Sequence, residues 1–247
     1  MSIIKKIFNY TYRPQVHIPF NNPIYYYLKN RGHFTNAILG RLPFPLKKRF
    51  MDFIVNERIV EIPFVFKNLH LVDGCNLLEI GCTESKVSIE LASLGYKVIG
   101  YDLRGYEFTH PNFSFVKGDF LNNKFPDNHF DGIIAISTIE HCGLRIYGGS
   151  LSEDADKKVV NQVCRVLKIS GKFIITVPFG KKEQTPFYRI YDTASLQVLL
   201  NNFRIVNEEY YRTIDRRQWL SVKKEQLVDI SSVIFVQGVA CIVCEKP

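Results

Sequence analysis

The segment Asn76-Leu77-Leu78-Glu79-Ile80-Gly81-Cys82-Thr83-Glu84-Ser85 constrains this chain more than any other. An apolar run that ends on an acid, turns at a glycine and enters a helix is how an α/β fold presents backbone N–H groups and a carboxylate to a nucleotide-like ligand. A second apolar run ends on Tyr101-Asp102, 21 residues beyond Gly81 (102 − 81). That is close to the roughly 20 residues at which a carboxylate takes ribose hydroxyls. The pair points to a ribose-bearing cofactor. No second or third glycine completes Gly-x-Gly-x-x-Gly, which disfavours a nicotinamide dinucleotide.

Around this segment strands and helices alternate. Apolar runs predict strands at about 76–80, 97–102, 113–117, 131–137, 172–177, 203–210 and 233–244, and helical periodicity predicts helices at 85–94, 153–168 and 193–201. The expected fold class is α/β, a doubly wound, mainly parallel seven-stranded sheet that binds its ligand at the C-terminal strand ends. The last two strands have no crossover helix between them, so they predict an antiparallel edge. The stretch 211–232, with Arg212, Arg216, Arg217, Trp219, Lys223 and Lys224, reads as an insertion between them. Residues 57–71, interrupted by Pro63, read as a connector. The domain division is therefore 1–58, an arm and small helical cap, and 59–247, the α/β domain.

Charge separates the two parts. The formal net charge is +8, and residues 1–58 hold ten Lys or Arg against Asp52 and Glu57, so the remainder is balanced. With Tyr10, Tyr12, Tyr25, Tyr26 and Tyr27 interleaved, such a segment suits nucleic acid, an anionic membrane surface or an acidic substrate, or is a solvated helical face. No run of about 18 apolar residues predicts a membrane span. Polar Asn9 ends the short apolar stretch after Lys5 and Lys6, so no secretory signal is expected. The expected location is cytoplasmic, with peripheral membrane contact as one use of the basic segment. Cys241-Ile-Val-Cys244 lies in a strand-like run where side chains alternate faces, so it reads as structural. His110, His129 and His141 are isolated from one another, and no metal site is expected.

Three strand ends in order carry Glu79-x-Gly81, then Asp102, then Gly118-Asp119-Phe120. Gly81 lets the backbone approach a ligand, Asp102 can accept from two ribose hydroxyls, and Asp119 can accept from an exocyclic adenine amine. Each acid could otherwise cap the helix after its strand. Together with Phe125-Pro126-Asp127, Asp131 and Val166-Leu167-Lys168-Ile169-Ser170-Gly171, this series resembles the class I S-adenosylmethionine-dependent methyltransferases over about residues 60–210. The resemblance implies a Rossmann-like domain with S-adenosylmethionine as cofactor. Glu79 and Gly81 would cradle its methionine part, Asp102 its ribose, and Asp119 with Phe120 its adenine, and Cys82, Leu103 and Ser137 would complete the set. One position departs from the family pattern: Thr83 stands where a second glycine is usual. Ser137-Thr138-Ile139-Glu140-His141-Cys142-Gly143-Leu144, Tyr147-Gly148 and Thr176-Val177-Pro178-Phe179-Gly180 resemble a subgroup associated with surface-glycan biosynthesis.

His141 is the expected catalytic base, because an alcohol or amine acceptor gains from a base with pKa near neutrality. Glu140 would orient it or bind substrate, and the two could instead cap the segment that follows. Tyr147, Arg189 and Tyr191 are expected on the substrate side. Arg189 suits a phosphate or carboxylate in fork geometry, or a surface salt bridge to Asp192 or Glu183. The expected reaction is methyl transfer to oxygen or nitrogen of a small-molecule or glycan-linked acceptor. Two rivals stand beside it. An RNA methyltransferase would use the basic segment, although Ser137-Thr138-Ile139-Glu140 replaces an Asn-Pro-Pro-Tyr-like tetrad. A non-catalytic binding protein would explain Thr83.

Overall fold

A computed structural model of the protein describes residues 55–144 and 152–247. The arm and small helical cap expected over 1–58 lie outside the described residues up to residue 54, as does Tyr147.

The first described element is a helix the sequence did not announce. α1 (Arg58–Asn68) forms through Pro63 because its apolar face recurs at helical spacing, burying Glu61, Phe64 and Val65, while the proline ring sits on the solvent side. The lost backbone donor costs one hydrogen bond, and the side chain of Asn68 helps close the helix by donating to Phe64 O at 2.8 Å.

The remaining elements follow the expected alternation: β1 (Asn76–Ile80), α2 (Val87–Ser93), β2 (Lys97–Asp102), β3 (Phe113–Lys117), β4 (Phe130–Ile136), α3 (Ala155–Val166) and β5 (Leu167–Pro178). Then come a two-stranded ribbon of β6 (Glu183–Gln184) and β7 (Arg189–Ile190), α4 (Thr193–Leu199), β8 (Arg204–Arg212), β9 (Leu220–Val222) and β10 (Gly238–Glu245). The main sheet has the order β3-β2-β1-β4-β5-β10-β8-β9. β1 pairs in parallel with both β2 and β4, so Leu78 lies between Ile99 and Ile133. The chain winds outward through β2 and β3, then returns to the other side of β1, and that reversal opens a crevice at the C-terminal ends of β1 and β4.

β10 runs antiparallel to both β5 and β8, which is the expected antiparallel edge. The sheet has eight strands, not seven, because the stretch taken as an insertion contributes β9, paired antiparallel with β8 through Tyr211 opposite Ser221. The final strand begins at Gly238 rather than 233. Residues 233–236 form a loop tip, closed at its neck where Gln237 N–H donates to Ser232 Oγ at 3.0 Å.

Alternate residues of the central strands fill two cores, one on each face. Leu78, Ile133, Phe173 and Ile175 pack under Val159, Val163 and Leu196 of α3 and α4. Leu77, Ile134 and Ile174 pack under Phe64 and Val65 of α1 and Val87 and Leu91 of α2. Each such side chain contributes about 1.5–3 kcal/mol by leaving water. Cys241 and Cys244 fall in opposite cores as free thiols, which is how a strand disposes residues three apart.

Candidate functional site

A cavity of about 350 Å³ occupies the crevice at the C-terminal strand ends. Gly81 leaves β1 in the left-handed region, with φ +78°, and donates its N–H to Tyr101 O at 2.8 Å. A Cβ there would lie 2.3 Å from Thr138 Oγ1, so both the backbone angle and the close approach of the β4 end require glycine. Thr83 resolves the departure noted in the sequence. The residues after Gly81 form a short 3-10 turn, Cys82–Glu84, in which Thr83 needs no positive φ. Its backbone N–H donates to Asp102 Oδ2 at 3.0 Å, so the turn ties the end of β1 to the end of β2.

Asp102 is buried at the cavity wall. Burial works to raise its pKa, but hydrogen bonds from the Arg104 backbone and side chain and from Thr83 outweigh it and hold the carboxyl below its ordinary value. It is therefore a carboxylate, with Oδ1 accepting from Arg104 N–H at 2.9 Å. Arg104 also reaches Glu84 at 2.6 Å, and Leu103 stands beside them on the wall. Farther along, Asp119 Oδ1 accepts from Leu121 N–H at 3.0 Å, fixing the turn that places Phe120 in the lining.

At the end of β4, Ser137 is held at φ +41°, a strained angle for a residue with a side chain. Its N–H is shared between Thr176 O at 3.1 Å and Thr176 Oγ1 at 3.0 Å, and its hydroxyl donates to Glu61 Oε1 at 2.6 Å. Glu140 and His141 follow in a 3-10 turn. His141 Nδ1 lies 2.5 Å from Phe187 O. A carbonyl can only accept, so Nδ1 carries the hydrogen and Nε2 bears the lone pair of the neutral ring. Burial is the largest influence on His141 and lowers its pKa, which keeps that ring neutral near pH 7. Nε2 is 3.8 Å from Glu140 Oε1.

Glu140 is pushed up to about 8 by burial, with the charge of Arg58 working against the shift. Glu61 is pushed up to about 7 for the same reason. Both folded-state values exceed the ordinary 4.5, so the folded chain holds protons that the unfolded chain releases between about pH 4.5 and 8. Their contribution to stability is present at acid pH and is lost as pH rises through that window. Glu61→Gln is expected to flatten this decline by a few kcal/mol. Melting temperatures of wild type and variant, measured at about pH 5 and about pH 8, check it. Parallel curves would show that Glu61 is ionised in the fold.

The structure brings Gly81, Asp102, Leu103, Asp119, Phe120, Ser137, Glu140 and His141 to one cavity. It places others elsewhere. Glu79 is buried beneath the wall, hydrogen bonded to the Ser88 hydroxyl of α2. The Cys82 thiol is fully buried, and burial drives its pKa up. Arg189 sits under the Glu140 turn, donating to the carbonyls of Cys142 at 2.5 Å, Glu153 at 3.2 Å and Ser152 at 3.3 Å. Tyr191 donates to Asp156 Oδ2 at 2.8 Å. Sequence reasoning missed Glu57 and Arg58, which line the cavity, Glu61 behind them, and Tyr188. The signal for α1 was present: Glu61 is an acid on the same helical face as Phe64 and Val65, where burial demands a partner. Tyr188 had no such signal.

The methyltransferase-domain family matches residues 78–175 of the chain. No curated protein matches it in sequence. Among solved structures, a S-adenosylmethionine-dependent methyltransferase from Methanosarcina mazei is 17% identical with a TM-score of 0.53, covering 74% of this chain and 97% of that one. The 1,6-didemethyltoxoflavin-N1-methyltransferase of Burkholderia thailandensis, solved with 1,6-didemethyltoxoflavin and S-adenosylhomocysteine, is 16% identical with a TM-score of 0.53, covering 94% and 93%. The [4+2]-cyclase SpnF is 17% identical with a TM-score of 0.55, covering 76% and 80%. These likenesses establish a Rossmann-like methyltransferase fold, and the cyclase among them separates fold from reaction.

Proposed function

We propose that this protein is an S-adenosylmethionine-dependent methyltransferase acting on oxygen or nitrogen of a small-molecule or glycan-linked acceptor. The observation that carries the reading is a single cavity lined by Gly81, Asp102 and Asp119 together with His141, whose pKa burial lowers. The cofactor is indicated by the methyltransferase-domain match and by a fold shared with an enzyme that holds S-adenosylhomocysteine. The residues suit it. Gly81 lines the cavity in a left-handed backbone conformation packed against Thr138, which leaves its backbone without a side chain toward a ligand, and Asp102 is an ionised acceptor that suits vicinal hydroxyls. When bound, the cofactor supplies an electrophilic methyl group on a positively charged sulfur.

The chain's own groups do the rest. Asp102 holds the ribose, Asp119 accepts from the adenine amine and Phe120 walls the ring. The left-handed turn at Gly81 admits the methionine backbone. His141 takes the acceptor's proton on Nε2 while Phe187 O fixes the ring through Nδ1. Arg189 fixes the backbone of the Glu140-His141 turn from below through its carbonyl contacts, so its role is positioning rather than substrate capture. The Ser137–Leu144 motif and its resemblance to glycan-associated enzymes support the glycan-linked acceptor.

Thermal melting with S-adenosylhomocysteine tests the reading. A ligand at about one hundred times its Kd adds about 2.7 kcal/mol, which for a domain of this size is a rise of roughly 5–10 °C. No shift at saturating ligand would leave the fold without its cofactor and favour a non-catalytic protein.

A further inference from the structure

Glu140 lines the cavity yet is only 2% exposed, and its Oε2 has no hydrogen-bond partner among the described residues. A buried carboxyl oxygen without a partner is costly, and more so when charged, so such a group on the wall of a binding cavity points to a ligand that completes it. The side chains packed around it are committed elsewhere. From α1, the Arg58 guanidinium donates to Ile136 O at 2.9 Å and to Glu61 Oε2 at 3.4 Å, while Glu57 adds a second negative charge. Below, Arg189 donates to the backbone carbonyls of Glu140 at 3.4 Å and Cys142 at 2.5 Å, so it holds the turn and not the carboxyl. Asp156 of α3 is engaged by Tyr191 and Arg189. The Cys142 thiol and the phenols of Tyr188 and Tyr191 stay protonated, because burial raises all three.

The lining as a whole is short of positive charge. Glu57, Glu84, Asp102 and Asp119 are accompanied among the described residues by only Arg58 and Arg104, and Arg104 is engaged with Asp102 and Glu84. Burial holds the Glu140 carboxyl protonated at neutral pH, raising its pKa to about 8 against the opposing effects of its own N–H and of Arg58. A positive charge brought alongside favours the carboxylate and lowers that value. With His141 Nε2 as proton acceptor, the methylated atom lies within hydrogen-bond reach of that nitrogen, and the donor sulfur stands in line behind the methyl group. Glu140 Oε1 is 3.8 Å from the same nitrogen, so the carboxyl borders the point where the charge is carried and then lost.

We propose that Glu140 is the counter-ion of the methyl donor, by which the cavity tells the positively charged sulfur of S-adenosylmethionine from the neutral thioether of S-adenosylhomocysteine. The inference rests on the methyltransferase reading and adds to it a reason for the product to leave. Binding of the charged cofactor expels the Glu140 proton to solvent. When the sulfur–methyl bond breaks, its electron pair stays on sulfur and the bond from acceptor to methyl forms. The acceptor's proton goes to His141 Nε2 and from there returns Glu140 to its protonated state, so neither group keeps a charge to hold the neutral product.

Calorimetric titration of the full chain with S-adenosylmethionine and with S-adenosylhomocysteine tests this. The two ligands share every titrating group, so the ratio of their dissociation constants isolates the charge on sulfur. That ratio is expected to favour S-adenosylmethionine and to grow about tenfold from about pH 6.5 to about pH 8, since below the free pKa a proton must first be expelled, at up to about tenfold in affinity per pH unit. In buffers of different ionisation enthalpy at about pH 7, S-adenosylmethionine is expected to release roughly one proton more than S-adenosylhomocysteine. Glu140→Gln keeps the shape of the protonated acid without its charge, and is expected to abolish both effects while S-adenosylhomocysteine affinity stays within a few-fold. Glu61 titrates in the same range behind Ser137, and Glu61→Gln is expected to keep both effects. A ratio in wild type that does not change with pH overturns the inference and leaves the methyltransferase reading standing, and this needs no variant to fold. Proton release that survives in Glu140→Gln, or is lost in Glu61→Gln instead, also overturns it. Binding of neither ligand overturns both.

Discussion

His141→Ala is expected to lower turnover by two to four orders of magnitude, the range that a positioned general base contributes, while S-adenosylhomocysteine affinity changes by no more than a few-fold. The split follows from where the ring sits. Its Nδ1–H is committed to Phe187 O, so Nε2 is the basic atom of a ring that lines the cavity, and burial lowers its pKa and favours the neutral form. Its loss therefore removes a proton acceptor, not a cofactor contact. His141→Gln should be no better, because an amide can hydrogen bond but cannot take the proton. A second readout separates catalysis from packing: the acid limb of the kcat profile is expected to titrate below the ordinary histidine value and to vanish in the variant. Unchanged turnover in His141→Ala, with the protein folded, would remove it as the base.

Asp102→Ala is expected to act in the opposite sense, on binding. Two hydroxyl hydrogen bonds to a carboxylate are together worth about 3 kcal/mol or more, so the Kd for S-adenosylhomocysteine should rise roughly a hundredfold or more by calorimetry. Asp102 also receives the backbone N–H groups of Thr83 and Arg104. Some of the loss would thus come from a loosened Cys82–Glu84 turn. Asp102→Asn keeps the volume and one carbonyl oxygen, and is expected to lie between wild type and alanine. Retained affinity in the alanine variant would sink the ribose assignment.

The strand order of the parallel half was legible because β1, β2 and β4 are buried on both faces and therefore spell apolar runs, and because Gly81 and Asp102 sit at the ends of adjacent strands. Three readings failed for physical reasons. The stretch 57–71 reads as a connector through Pro63, but a proline on the solvent side of an otherwise amphipathic helix removes only one bond. Val233, Ile234, Phe235 and Val236 spelled a strand, yet they form a loop tip with Val233 and Ile234 exposed, since apolar composition alone does not say what will cover a residue. Arg189 looked like an anion grip, and the fold instead gives its guanidinium to backbone carbonyls. Long-range partners of this kind, like Glu61 with Ser137, depend on tertiary closure and leave no local pattern.

The position of β10 bears on how the molecule is assembled. This strand follows all the others in the chain, yet it lies between β5 and β8 and hydrogen bonds to both. Until it is made, β5 ends in an open row of unpaired amides and carbonyls, and the β8–β9 hairpin has nothing to join. Synthesis on the ribosome thus produces first the parallel half, which can collapse early, and then a waiting gap which a single buried strand must fill. Such an edge is a template for pairing with other chains while it lasts. Deletion of β10, Gly238–Glu245, would therefore be expected to yield aggregation, not a stable smaller fold.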